Sequence, residues 1–239
     1  MTPRHRSLHL LSAGAAQGLV EALQRAFEAE AGVEVAATFD AAGAIRDALV
    51  ADAPCDVVIL PATMQSTLAA EGRVDGATVL PLGGVPTGIA VASGDRLPAV
   101  GNAGELRATL LAAPALYCPD TVRATAGIHF AGVLRALGID ERSTPKLRAF
   151  PNGARAMAAL AATGPRGGIG CTQVSEILRT PGVVPVAPLP APFELTTVYA
   201  IAVSRNADNA AAARAFAARV TGRETEALRR AGGFLASST

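Results

Sequence analysis

Hydrophobic and polar positions along this chain follow two alternating rhythms. Leu8-His9-Leu10-Leu11-Ser12-Ala13 is a short apolar run that ends in small residues. Residues 16–31 then repeat at helical spacing. Leu19, Val20, Leu23, Ala26 and Phe27 share one face, and Glu21, Gln24, Arg25 and Glu28 the other. Gly32 is placed to stop this helix. The pattern recurs with a strand over 33–39, a small-residue turn over 40–44, and a helix burying Ile45, Ala48 and Leu49. Asp56-Val57-Val58-Ile59-Leu60 is a continuous apolar strand of the type buried in parallel sheets. Strand, helix, strand, helix, strand predicts a parallel sheet with right-handed crossovers, and so an α/β fold.

Pro61 is expected to break that strand, with a short helix over 64–71 and a short edge at 79–80. Pro81-Leu82-Gly83-Gly84-Val85-Pro86 reads as a stiff connector into a second lobe. There, strands are expected over 88–92, 115–118, 146–150, 167–171 and 183–187. Helices fall between them, and one carries Phe130, Val133, Leu134 and Leu137. A second connector, Pro188-Leu189-Pro190-Ala191-Pro192, leads to the β-rich run 195–203 and two closing helices. The predicted organisation is a discontinuous first lobe, 1–84 plus 194–239, and a second lobe, 85–193. Two crossings between them make a hinged clam-shell. Ligands of open α/β sheets bind beyond the carboxyl ends of the strands, so the cleft between the lobes is the expected site.

A strand that ends in small residues at a helix start makes a seat for an anion. The first helical N–H groups have no partner within the helix, and the helix dipole favours negative charge there. Ser12, Ala13 and Gly14 form one such seat and Ala42 with Gly43 a second. In the second lobe, Arg123 can clamp a carboxylate in bidentate fashion, or be a solvated surface arginine. Thr125, Asn152, Thr172 and Gln173 are neutral groups near helix starts, suited to hydrogen bonding rather than nucleophilic attack. His129 and Glu176 are the candidate proton carriers of any catalytic reading. Their alternatives are a helix-face histidine and a first-turn carboxylate answering the dipole. Asp40 and Asp120 are expected to cap helices.

Composition narrows the function. The 239 residues are 50% hydrophobic, enough for a sizeable core, but only 4% aromatic, with no Trp to stack on bases or sugars. The formal net charge is +1 and no basic block is present, so nucleic acid is excluded as a partner. Cys55, Cys118 and Cys171 are scattered without metal-ligand spacing and read as buried small hydrophobes of a reducing compartment. Neither a G-x-S-x-G elbow nor a phosphate loop is present. No metal and no cofactor are expected. The basic start, Met1 to Arg6, precedes too short an apolar core for a signal peptide. Cytoplasmic residence is therefore expected, or periplasmic residence if a leader has been removed. No stretch is apolar enough to enter a membrane.

Leu10-Leu11-Ser12-Ala13-Gly14-Ala15, the turn Ala41-Ala42-Gly43-Ala44, Ala53-Pro54-Cys55-Asp56-Val57-Val58-Ile59 and the late Val198-Tyr199-Ala200-Ile201-Ala202-Val203 resemble the type II periplasmic-binding-protein fold. More narrowly, they resemble the molybdate-binding proteins of ABC importers. Two departures count against molybdate. Those proteins usually carry hydroxyl residues in the second turn, where this chain has Asp40-Ala41-Ala42-Gly43. They usually carry a Tyr after the Gly-rich strand, where this chain has Cys171-Thr172-Gln173-Val174-Ser175-Glu176. That last run, continued by Ile177, Pro181-Gly182-Val183 and Pro188-Leu189-Pro190, is similar to the branch that includes aconitate isomerases. The resemblance implies a small anionic ligand, above all an organic di- or tricarboxylate, held as in a substrate-binding protein. It implies an ABC permease as partner only if the chain is exported. The alternatives are a cofactor-free isomerase of an unsaturated carboxylate and a binder of molybdate-type oxyanions.

Overall fold

The computed structural model describes residues 7–139, 146–164 and 166–236. The basic start read above for targeting lies outside them. In chain order the elements are β1 (Ser7–Ala13), a 3-10 turn (Gly14–Ala16), α1 (Gln17–Ala31), β2 (Glu34–Asp40), α2 (Ala42–Val50), β3 (Val57–Pro61), α3 (Ala62–Ala70) and β4 (Leu80–Ala92). There follow α4 (Ala103–Ala112), β5 (Leu116–Pro119), α5 (Thr125–Ala136), β6 (Leu147–Phe150), α6 (Gly153–Thr163), β7 (Ile169–Gln173), α7 (Val174–Leu178) and β8 (Val183–Pro188). The last are β9 (Thr196–Val203), α8 (Ala210–Thr221) and α9 (Glu226–Ala231). The chain forms two compact units, Met1–Gly84 with Val198–Thr239, and Val85–Thr197.

In the first unit the strand order is β2-β1-β3-β9. β1 runs parallel to both β2 and β3, and β9 closes antiparallel on β3. Val57, Val58, Ile59 and Leu60 are fully buried, which is why that run shows no polar alternation. Helix α1 buries Leu19, Val20, Leu23 and Phe27, and ends at Gly32, whose φ of 64° is the left-handed stop. Phe27 meets Phe216 of α8 edge to face, with ring centres 5.0 Å apart.

Asp56 ties this unit together. It is buried, and its two carboxylate oxygens accept from the His9 N–H and the Asn209 N–H, both at 2.8 Å. Its own N–H donates to the His9 carbonyl, and its carbonyl accepts from the Ser204 N–H. One side chain thus fixes the start of β1 to β3 and to the turn that opens α8.

The second unit is a three-layer sandwich with strand order β8-β4-β7-β5-β6. β5 runs parallel to β6 and β7, and β4 antiparallel to β7 and β8. Alternate residues face opposite layers. Ile89, Val91, Leu116, Cys118, Ile169 and Cys171 meet Leu106 and Leu110 of α4 and Phe130, Val133 and Leu134 of α5. Ala90, Ala92, Ala115 and Tyr117 meet Ala156, Met157 and Leu160 of α6 and Ile177 of α7. The Gly-rich strand now has a packing reason: a Cβ at Gly170 would collide with Met157 and Leu160.

Two expectations are corrected. The 81–86 connector is instead the first part of β4, which runs 13 residues without a break. Leu82 and Val85 are buried, and Gly84 exchanges both backbone hydrogen bonds with Leu235, at 3.0 and 2.7 Å. Prolines are tolerated in a strand where no N–H is needed, so composition alone misread a strand as a linker. Pro61 likewise ends β3 from within and caps α3, rather than breaking the strand before it.

The Asp56 staple gives a stability prediction. Asp56→Ala leaves one buried and one half-buried N–H group without acceptors and is expected to cost about 2–4 kcal/mol. The check is a lowered urea midpoint at unchanged slope. Asp56→Asn, which keeps one acceptor oxygen, should fall between that variant and the parent.

Candidate functional site

Helix starts in this protein come in two kinds. Helices α4, α6 and α8 are capped by asparagine side chains: Asn102, Asn152 and Asn209 accept from the N–H groups of Glu105, Arg155 and Ala212. The short helices α7 and α9 start without a side-chain cap, and so do the 3-10 turn before α1 and helices α2, α3 and α5. The cap residues of these last four are Ala13, Ala41, Pro61 and Ala124. All four follow the carboxyl ends of sheet strands, and the first three follow parallel neighbours in one sheet. Unsatisfied first-turn N–H groups at such positions are anion donors.

In the first unit, Ala13, Gly14, Ala15 and Ala16 are buried and bring backbone rather than side chains to the surface of the turn. Ser12 is buried too, and its hydroxyl donates to the Ala13 carbonyl at 3.0 Å. That proton is engaged locally, so the backbone is the better donor here. At the second seat Ala42 and Gly43 open α2 as expected. Asp40 does not cap this helix. It is the last residue of β2, and its Oδ1 accepts from the Ala41 N–H at 2.8 Å, while Ala41 holds the cap position.

In the second unit, Asp120 organises a turn instead of capping α5. Its Oδ1 accepts from the N–H groups of Val122 (2.7 Å) and Arg123 (2.9 Å), and the helix starts later, at Thr125. The result is an exposed Arg123 on a turn held rigid from below. Gly127 is required in the first turn of α5, because a Cβ there would strike the carbonyl oxygens of Pro119 and Asp120. Thr125 is half-buried at the head of the helix. His129 is half-buried one turn on, and its Nε2 lies 2.8 Å from the Phe193 carbonyl oxygen. A carbonyl only accepts, so Nε2 carries the hydrogen, and Nδ1 is left as the nitrogen that can take a proton.

Asn152, Thr172 and Glu176 come together, though not as a row of ligand donors. Asn152 spends its carbonyl oxygen on capping α6. The Thr172 hydroxyl donates to Glu176 Oε2 at 2.5 Å, and both residues are buried. The Gly153 and Gln173 N–H groups also donate to the Glu176 carboxyl. Glu176 therefore occupies the start of α6 with its own carboxyl group, and no side chain at 153 would leave it room. Burial pushes its carboxyl above the usual 4.5, against the opposing pull of the Thr172 hydroxyl, the Arg179 charge and the two N–H donors. Gln173 is buried, and its amide N–H donates to the Thr197 hydroxyl oxygen at 3.3 Å.

Sequence reasoning missed Thr87 and Thr197, which lie beside Gln173. Thr87 fell between the stretch read as a connector, 81–86, and the strand expected over 88–92, and only the continuity of β4 through it places it in the sheet. The three cysteines are buried thiols outside any disulfide. Burial pushes the Cys55 thiol up to about 12 and Cys171 upward as well, which makes both inert. Among the described residues, no group of three or more His, Cys, Asp or Glu side chains is placed to hold a metal ion, and no helix is long and apolar enough to cross a membrane.

The raised Glu176 carboxyl predicts a pH dependence. A carboxyl with a raised folded-state value binds its proton more tightly when the chain is folded. The contribution is complete below about 4.5 and is lost as pH rises through the raised value. Glu176→Gln should remove that loss. The difference in melting temperature between parent and variant is expected to move against the parent as pH is raised from 4.5, and a constant difference would contradict the assignment.

Comparison with known proteins places this geometry. An aconitate isomerase from a Pseudomonas species is 27% identical over 215 residues, covering 87% of this chain and 80% of that one. The periplasmic molybdate-binding protein of Azotobacter vinelandii superposes with a TM-score of 0.81 at 17% identity, covering 97% of this chain and all of that one. The sulfate-binding protein of Mycobacterium tuberculosis gives 0.76 at 19% identity, over 98% and 88%. The fold is thus the periplasmic-binding-protein type. The bacterial extracellular solute-binding protein family matches residues 8–235, and the chain belongs to that family.

Proposed function

We propose that this protein binds a small organic anion, a di- or tricarboxylate, as a solute-binding protein. The observation that carries the reading is the contrast between the two kinds of helix start. Asparagine closes α4, α6 and α8, whereas the turn at Gly14 and the starts of α2 and α5 keep their N–H groups clear of side-chain caps. Exposed Arg123 supplies a full positive charge beside α5. Asp40, at the second seat, disfavours a compact dianion packed on every side by donors. A carboxylate ligand has separated charges and tolerates such a neighbour better. The sulfate- and molybdate-binding proteins of the same fold make a tetrahedral oxyanion the competing ligand. Exported, the protein would deliver its ligand to an ABC permease; retained in the cytoplasm, it would act as a sensor or enzyme.

A second reading is supported by the aconitate isomerase relative. There the bound acid would lose and regain an allylic proton, with Nδ1 of His129 as the base and the N–H seats stabilising the developing charge. Glu176 fits the base role less well, because its oxygens are already engaged.

A thermal-shift screen over carboxylates, sulfate and molybdate tests the proposal, since stabilisation grows with the logarithm of ligand over Kd. Di- or tricarboxylates should raise the melting temperature, and stabilisation by sulfate or molybdate alone would overturn the carboxylate assignment. Arg123→Gln should weaken carboxylate binding by about 10- to 100-fold, the worth of one charge-assisted pair. Deuterium exchange from solvent into a bound unsaturated acid, lost in His129→Ala, would establish the isomerase reading instead.

A further inference from the structure

Thr87, Gln173 and Thr197 form a small polar cluster inside the second unit. Thr87 of β4 stands directly opposite Gln173 of β7 in the antiparallel register, so their side chains leave the sheet on the same face. Gln173 reaches Thr197 through its amide nitrogen at 3.3 Å. All three are buried: Thr87 is fully so, Gln173 is 3% and Thr197 is 8% exposed. Two atoms of this cluster, Thr87 Oγ1 and Gln173 Oε1, have no hydrogen-bond partner among the described residues. Buried polar atoms without partners are rare and costly, and they mark places where another polar group belongs.

The chemistry of that group follows from the two atoms. Gln173 Oε1 only accepts, while the Thr87 hydroxyl both donates and accepts. A carboxylate or sulfate oxygen, which only accepts, would satisfy Thr87 but repel Gln173 Oε1. An O–H group satisfies both, donating to Gln173 and accepting from Thr87. Gln65 in the first unit has an unpartnered Oε1 as well, but its amide nitrogen already ties β3 to β9 through the carbonyls of Val58 and Ala200, a structural role.

We propose that Thr87 and Gln173 are the subsite for an O–H group of the bound anion, so that the protein selects hydroxy acids, or protonated oxyanions, over their counterparts without the O–H. This rests on the reading that the chain binds a small anion, and it adds the feature by which one anion is told from another.

Titration calorimetry on the full chain tests it with matched pairs that differ by one O–H: malate against succinate, citrate against tricarballylate, and hydrogen phosphate against sulfate. In each pair that binds, the O–H member should bind at least about tenfold more tightly. Thr87→Val should bring that ratio close to one without lowering the melting temperature, and Thr87→Ser should restore it. A ratio near one in the parent, or a ratio that Thr87→Val leaves unchanged, overturns the subsite. So does a melting temperature that falls in Thr87→Val with the ratio intact, the signature of a resident water only. Preference for phosphate over sulfate without carboxylate binding would refute the carboxylate reading and keep the subsite; sulfate bound in preference to phosphate would refute both. No binding of any pair removes anion binding and the subsite with it.

Discussion

Every buried backbone N–H must find an acceptor, and this chain meets that requirement unevenly. At α4, α6 and α8 an asparagine closes the first turn. At Ala13, Ala41 and Ala124 the sequence withholds such a side chain and places small residues in its stead. Withholding a cap costs stability unless another acceptor is supplied. The small residues also let that acceptor approach the backbone. Much of what surrounds these turns follows from keeping them open and rigid: the Gly127 contact beneath α5, the Asp120 turn, and the sheet that fixes the strand ends.

Several acidic side chains are spent within the protein. Asp56 fastens β1 and the start of α8 to β3, Asp120 shapes the loop that carries Arg123, and Glu176 sits on the start of α6. Three carboxylates thus answer backbone N–H groups at positions where a sequence reader looks for caps or catalytic bases. The distinction is one of access. A base must reach its substrate, and a buried carboxyl receiving three hydrogen bonds is held for another purpose.

The architecture was legible because periodicity reports burial. The amphipathic face of α1, the unbroken apolar run in β3 and the glycine after each of several helices all map onto the observed elements. The failures share a cause. Residues 81–86 look like a linker by composition, yet their conformation is decided by pairing with a partner far along the chain, Leu235, which no local window contains. The candidate site shows the same divide. The helix starts at Gly14 and Ala42 could be read from small residues after strands, since that signal is local. The engagement of Ser12, Thr172 and Glu176 could not, because a side chain's hydrogen-bond partner depends on packing. Thr87 was invisible for both reasons at once.

This divide also explains why shared architecture leaves the ligand open. Backbone seats supply affinity for negative charge in general, and molybdate- and sulfate-binding proteins share this fold at under 20% identity. Discrimination needs side chains whose polarity is fixed before the ligand arrives. A backbone N–H donates to any anion, whereas a buried acceptor disfavours a guest that brings no hydrogen. The same physics bears on the choice between binder and isomerase. Holding an anion asks only for donors; moving a proton asks for a nitrogen or oxygen left unengaged beside them. In this chain His129, with one ring nitrogen fixed to Phe193, retains such an atom, and Glu176 does not.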